Sequence, residues 1–421
     1  MEDILKVEGG CILRGDVSVA GAKNAALKML PACLLTSEPV LLRNLPQLQD
    51  ISLMIALLAD LGMECTFESG TSICLQSHDI ADVTVPYELV RAMRASIVVL
   101  GPLLARFGYA RVALPGGCAI GTRPIDIHLA GLKVMGAEIE LKQGFIEASV
   151  RGRLQGARVQ MHTVTVTGTE NLMMAATLAE GTTILENAAA EPEVEDLARM
   201  LIKMGARIHG AGTSRIEIEG VPRLNGTTHD IIFDRIEAGT YLIAAAMTRG
   251  EVTIHNVQKK PLELVLQKLV EAGVRLKTYD DTITVLRGDK PLQALTIETG
   301  PYPAMATDLQ PQFLALNAIA SGVGMITETI FENRFMHVPE LQRLGANIQV
   351  KERTAVSAGV DKLIGAPVKA TDLRAAAALV LAGLVAEGIT SIEGTYHMDR
   401  GYAFLEEKFT QLGARIWRDV R

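Results

Sequence analysis

The sequence predicts an α/β protein of two domains, each built from three copies of a repeat about 70 residues long. Three observations carry that expectation. The chain has 421 residues, and at roughly 100–200 residues per domain one domain is too few. Six amphipathic helical patterns end at an apolar residue followed by Gly, and these glycines (Gly62, Gly136, Gly205, Gly273, Gly345, Gly413) fall 68 to 74 residues apart. Around each glycine the same order of helix-like and strand-like runs returns, so the repeat fills the chain with no spare linker.

Within a copy an Ala-rich helix comes first, as in NLMMAATLAEG or TYLIAAAMTRG. A turn and a short β-branched strand follow (TTILENA, EVTIHNV), then an amphipathic helix whose apolar residues step by three and four, as Leu197, Met200, Leu201 and Met204 do. Gly stops that helix where a left-handed cap is easiest. Two alternating strands about a turn, such as RIHGAGTSRIEIEG, close the unit. Helices that are Ala-rich nearly all round are expected to be buried among sheets.

The sixth copy is one strand short, since only ARIWRDVR follows Gly413, while ILKVEG at the N-terminus belongs to no copy. The first strand is therefore expected to complete the last unit. That gives a continuous three-repeat domain over residues 21–229 and a discontinuous one from 1–20 plus 230–421, with LNGTTHD (224–230) as the crossover. The site is expected in the cleft between the two, a common place for a small-molecule pocket.

Composition narrows the function. Hydrophobic residues make up 48% of the chain and charged residues 21%, and the net charge is −7. No basic excess is available for nucleic-acid or membrane binding. The longest wholly apolar run, Ala375 to Ala386, is 12 residues, against about 20 needed to span a bilayer. No signal peptide follows the acidic start MEDILKVEGG, so a cytoplasmic location is expected. The five cysteines (Cys11, Cys33, Cys65, Cys74, Cys118) form no CxxC pair, and neither a disulfide framework nor a metal site is indicated.

The informative residues are those that break the repeat. One copy carries LPGGCAIGTRPIDIH, with Gly116, Gly117 and Gly121 around Cys118 and Arg123 close behind. Such glycine density suits a mobile loop or a close approach to ligand, and a nearby Arg favours thiolate. A tight turn with an incidental Cys is the plain alternative. The Ala-rich helices begin with charge in most copies: Lys23 in VAGAKNAAL, Arg91 and Arg94 in VRAMRASIVVL, Asp234, Arg235 and Glu237 in FDRIEAGTYL, Asp308 in ATDLQPQFLAL, and Arg374 in TDLRAAAALV. Helix capping suits Asp308 and Asp372. It does not suit Lys23, Arg94 or Arg374, because cations at helix N-termini are mildly unfavourable, so the pattern points to an anion site. ENRFMH and HMDRGY place Arg334 and Arg400 at matching positions of two further copies, and His128, His337 and His397 show no metal-ligand spacing.

With GAKNAAL, MRAS, LPGGCAIGTRP, TLAEGTT, DRIEAGT, ATDLQPQ, ITETIFENRFMH, ATDLRA and DRGY in place, the chain resembles the enolpyruvyl transferase family from end to end. The resemblance implies the family's fold, a two-domain inside-out α/β barrel of six repeats. It also implies transfer of the enolpyruvyl group of phosphoenolpyruvate to the 3-hydroxyl of UDP-N-acetylglucosamine, with release of phosphate, in cell-wall peptidoglycan synthesis. By position in the family's motifs, Cys118, Asp308, Lys23 and Arg400 are the catalytic candidates. Phosphoenolpyruvate falls to Lys23, Asn24, Cys118, Arg123, Arg374 and Arg400. Cys118 matches the proton donor and Asp308 the residue that takes the sugar hydroxyl proton. UDP-N-acetylglucosamine falls to Asn24, Arg94, Arg123, Pro124, Ile125, Asp126, Ile127, Thr163, Val164, Thr165, Val166, Asp308 and Ile330.

The resemblance calls for no cofactor, no metal and no obligate protein partner, and it makes fosfomycin, the phosphonate epoxide that alkylates this thiol, an expected inhibitor. Gln49 and Thr163 stand where some members carry Lys, and Ala306 and Leu309 alter the usual PTDMQ string; these departures bear on affinity. The alternatives are the sister reaction on shikimate 3-phosphate, whose enzymes lack the LPGGCAIGTRP loop, and a silent paralogue that binds UDP-sugars.

Overall fold

A computed structural model describes residues 3–78, 80, 82–114 and 125–419. The described chain divides into two compact units, one of residues 3–20 and 233–419, the other of residues 21–114 and 125–232. Among the described residues the strands form six four-stranded sheets, all of one topology. In the sheet made of Arg158–Gln160, Thr182–Glu186, Arg215–Glu219 and Arg207–His209, the first two strands are parallel and the rest antiparallel.

Each unit centres on three helices. In the second unit these are α1 (Lys23–Ala32), α2 (Leu100–Phe107) and α3 (Val166–Thr177). In the unit holding both termini they are α4 (Arg235–Met247), α5 (Gln310–Ile319) and α6 (Leu373–Val385). Every residue of α6 from Arg374 to Leu384 is buried. Ala and Gly let such helices approach one another and the sheets closely. A Cβ on Gly9, Gly220 or Gly359 would collide with the carbonyl of Ala386, Ala179 or Ala320, the same helix-end contact in three repeats.

All six helix-stop glycines are left-handed, with φ between 91° and 105°, the conformation that glycine adopts at least cost. The strand Ile4–Glu8 lies between Ile389–Glu393 and Arg415–Asp419, antiparallel to both, and so completes the sixth sheet.

The structure departs from the sequence reading in three places. Each sheet has a fourth strand, a short parallel one such as Thr296–Glu298 or Pro367–Lys369, that runs up to the start of a central helix. These pieces have no alternation long enough to register. The stretch 224–230 is not a bare crossover either, since Thr227–Asp230 is the fourth strand of the sheet containing Val40–Arg43. Finally, VRAMRASIVVL is not one helix. Tyr87–Ala92 is helical, Met93 is extended, and Arg94–Val99 forms a 3₁₀ segment that leads into α2. The β-branched run Ile97 to Val99 disfavours a regular α-helix there. Among the described residues no helix is long and apolar enough to cross a membrane.

Candidate active site

Cys118, Arg123 and Pro124 lie outside the described residues, as does the side chain of Arg94. The other candidates fall at the starts of the central helices or in the loops beside them.

In the second unit Lys23 is the first residue of α1 and is only 5% exposed. Its Nζ lies 2.7 Å from Asp50 Oδ2, in the first turn of the helix Gln49–Asp60. A lysine at a buried helix N-terminus opposes the helix dipole, and an adjacent carboxylate offsets that cost. Asn24 follows it, and its carbonyl accepts from Lys28 Nζ at 2.7 Å. Lys28 also pairs with Glu170 of α3 at 3.3 Å, joining two central helices through a buried ion pair. Burial lifts the Glu170 carboxyl to about 7, against the opposing pull of Lys28.

Two of the runs assigned to the nucleotide lie side by side in this unit. Ile125 directly precedes the helix Asp126–Val134, whose first residue is acidic, as the dipole favours. Thr165 caps α3 by accepting from the Gly168 amide at 3.2 Å, and Val166 is the first helical residue. His162 Nε2 lies 3.5 Å from Asp126 Oδ2, which brings the run 125–127 beside the run 163–166.

In the unit holding the termini, Asp308 sits on the 3₁₀ turn Thr307–Leu309 that leads into α5. Asp372 and Asp234 do cap helices, each accepting two backbone amides. Asp308 does not. Its Oδ1 accepts from Arg334 Nη2 at 3.1 Å and its Oδ2 from Arg374 Nη2 at 2.9 Å. Both arginine side chains are 1% exposed, whereas that of Asp308 is 26% exposed. The carboxylate thus faces outward from a bed of two buried cations.

Arg334 Nε and Arg374 Nε and Nη1 are sealed from solvent and have no hydrogen-bond partner among the described residues. Burial alone would lower the Arg374 pKa, but Asp308, Tyr402 and Asp234 outweigh it and hold the guanidinium above its ordinary value. Its Cζ stands 5.5 Å from the Tyr402 ring centroid. The Tyr402 hydroxyl in turn bonds Thr240 Oγ1 of α4 at 3.0 Å and Gln312 Nε2 of α5 at 3.1 Å. Arg400 follows the short helix Tyr396–Asp399, two residues before Tyr402, and is half-buried.

The structure therefore brings Asp308 and Arg374 together and adds Arg334, which the sequence reading noted for its repeat position but gave no role. It also adds Asp50, which sits next to the unusual Gln49 and had no signal of its own. Tyr402 was legible only as part of HMDRGY. The Asp308 carboxylate, held by the two guanidinium groups and partly exposed, can accept from a hydroxyl and orient it.

Residues 7–409 match the family model of EPSP synthase (3-phosphoshikimate 1-carboxyvinyltransferase). The chain belongs to this family of enolpyruvyl transferases. Proteins named UDP-N-acetylglucosamine 1-carboxyvinyltransferase from Coxiella burnetii, in strains Dugway 5J108-111 and RSA 493 / Nine Mile phase I, are 56% identical to it over 416 residues, or 99% of this chain and 96% of theirs. Among solved structures, the enolpyruvyl transferase NikO from Streptomyces tendae matches with a TM-score of 0.88 and 25% identity, over 99% of both chains. An EPSP synthase from Acinetobacter baumannii shares the fold, with a TM-score of 0.79 and 18% identity over 99% of this enolpyruvyl transferase and 100% of its own chain.

Proposed function

We propose that this enolpyruvyl transferase moves the enolpyruvyl group of phosphoenolpyruvate onto the 3-hydroxyl of UDP-N-acetylglucosamine, with release of phosphate. The observation that carries the reading is 56% identity to enzymes of that name across 99% of the chain. The Asp308 carboxylate held by two buried arginines supports it. In this reading the sugar oxygen adds to C2 of phosphoenolpyruvate while the Cys118 thiol delivers a proton to the C3 methylene. Phosphate then leaves, and loss of a methyl proton restores the double bond.

Asp308 orients the attacking hydroxyl and accepts its proton. Lys23, Asn24 beside it, Arg123, Arg374 and Arg400 receive the phosphate and carboxylate. Arg94, Arg123, the run Pro124 to Ile127, the run Thr163 to Val166, Asp308 and Ile330 receive the nucleotide sugar. Small-molecule substrates and a cytoplasmic location complete the reading, with a role in making peptidoglycan precursor.

The test is phosphate release from phosphoenolpyruvate with and without UDP-N-acetylglucosamine, with Cys118→Ala alongside. Release is expected only with the sugar nucleotide, falling at least a hundredfold in the variant, on the order of what loss of a general acid costs. Fosfomycin should inactivate the wild type, with one adduct on Cys118 by mass spectrometry. Release with shikimate 3-phosphate in place of the sugar nucleotide would instead make this the sister enzyme.

A further inference from the structure

The strand Val323–Thr327 ends at Glu328, an acid inside the ITETIFENRFMH motif that the reaction scheme leaves unused. It is 1% exposed, and both its oxygens are engaged. Oε2 accepts from the Thr307 hydroxyl at 2.9 Å. Oε1 accepts from the backbone amides of Ile330 at 2.8 Å and Phe331 at 3.0 Å. Thr307 immediately precedes Asp308, and Ile330 is the residue assigned to the sugar nucleotide. One buried carboxylate therefore ties the Asp308 turn to the Ile330 loop.

Thr329, between Glu328 and Ile330, is fixed separately. The Thr329 amide donates to Thr299 Oγ1 at 3.0 Å, and Arg353 Nη1 donates to the Thr329 carbonyl at 2.8 Å. The loop thus keeps its own anchor to the sheet, and Glu328 links it to Thr307. Charge-assisted bonds to a buried carboxylate are among the stronger hydrogen bonds in proteins and hold geometry tightly. Arg334 also reaches Asp308 from farther along the segment, at 3.1 Å, but it holds the carboxylate, whereas Glu328 ties the backbone at Ile330 to the turn that carries Asp308.

We infer that Glu328 is a positioning residue that sets the spacing of Asp308 and Ile330, and so the affinity and orientation of the sugar nucleotide. The use assigned to the clamp rests on the function proposed above. Its chemistry permits a sharp prediction. In Glu328→Gln the amide oxygen still accepts from both backbone amides, and the amide nitrogen donates to the Thr307 hydroxyl, which can accept as well as donate. The clamp survives the loss of charge. In Thr307→Val one bond is lost with little change of volume, and in Glu328→Ala all three are lost.

Steady-state kinetics should give Glu328→Gln within about twofold of wild type, while Thr307→Val raises the KM for UDP-N-acetylglucosamine roughly tenfold, a change the loss of one hydrogen bond to a charged group can produce. The KM for phosphoenolpyruvate should stay within about twofold, the part that loss of a merely structural residue would not spare. A parallel rise in both constants, or none in either, overturns the assigned use.

Backbone amide exchange reads the clamp without any assay. The Ile330 and Phe331 amides should lose protection in Glu328→Ala and keep it in Glu328→Gln, and unchanged protection in Glu328→Ala overturns the clamp itself. A wild type that exchanges as expected but transfers nothing from phosphoenolpyruvate overturns the proposed function while leaving the clamp in place.

Discussion

The two units share one plan, three buried helices ringed by three sheets, yet they join those helices by different chemistry. In one, a buried ion pair of Lys28 with Glu170 links α1 to α3, and Lys23 at the start of α1 pairs with Asp50. In the other, a buried neutral network of Thr240, Gln312 and Tyr402 links α4 to α5. Charge stands beside that network, where the buried Arg334 and Arg374 meet Asp308 and where Glu237 of α4 pairs with Lys408. A neutral network needs no counterion and holds its geometry across a wide pH range. A buried ion pair is sensitive to the loss of either partner and to protonation. The same fold thus joins its central helices by a pair that titrates in one unit and by a neutral network in the other.

The comparison breaks most visibly at Arg374. Arg374→Ala removes a cation that is 1% exposed from a carboxylate that is 26% exposed. The expected cost is about 1.5–3 kcal/mol in denaturant unfolding, the worth of a hydrogen bond to a charged group, since Asp308 is partly exposed and keeps Arg334. Enolpyruvyl transfer should fall at least a hundredfold, on the order of what loss of one electrostatic stabiliser costs. Asp308→Ala should cost more still, because it strips both Arg334 and Arg374, each 1% exposed, of their carboxylate, and transfer is lost with it. Activity that survived either loss would mean that the cluster serves the fold alone.

The second break is in pH. Burial raises the Glu170 carboxyl from 4.5 to about 7. A carboxyl that holds its proton more tightly in the folded chain favours folding below its unfolded value, and that contribution is lost as pH rises through the folded value. Amide protection in α3, corrected for the intrinsic rate, should therefore fall between pH 5.5 and pH 8.5, on the order of tenfold. Glu170→Gln should flatten the profile, and α6 should show no such trend in either protein. A fall in α3 that persists in Glu170→Gln would place the titrating group elsewhere.

How much of this could be read from sequence follows from what a sequence pattern records. The six left-handed glycines and the Ala-rich helices were legible because periodicity and backbone conformation leave marks at fixed spacing. The strand Ile4–Glu8 was placed correctly by counting, since one copy was a strand short. The short parallel strands were not legible, because three residues such as Pro367–Lys369 carry no alternation.

At the site, Asp308 and Arg374 were marked by standing at the start of helices otherwise free of charge. Asp50 and Glu328 were not marked at all. Each works through a partner far along the chain, Lys23 for one and Thr307 for the other, and only the folded chain makes such pairs visible. The capping explanation for Asp308 failed for a related reason, since the pull of two buried guanidinium groups, Arg334 from farther along the same repeat and Arg374 from the next, outweighs a local backbone amide.

The smallest effect is expected at the neutral centre. Tyr402→Phe keeps the ring beside Arg374 and removes only a hydroxyl. Its two partners would not be left bare, because Gln312 Nε2 already donates to Thr240 Oγ1 at 3.1 Å. The loss should then be about 1 kcal/mol, the net worth of an ordinary hydrogen bond, and not the larger penalty of an orphaned polar group. Thr240→Val is its counterpart. It removes the third corner of the same triangle and leaves Gln312 Nε2 donating to the Tyr402 hydroxyl at 3.1 Å, so it too should cost about 1 kcal/mol. If denaturant unfolding showed Tyr402→Phe to cost clearly more than Thr240→Val, the hydroxyl of Tyr402 would be the hub that holds α4 and α5 against Arg374.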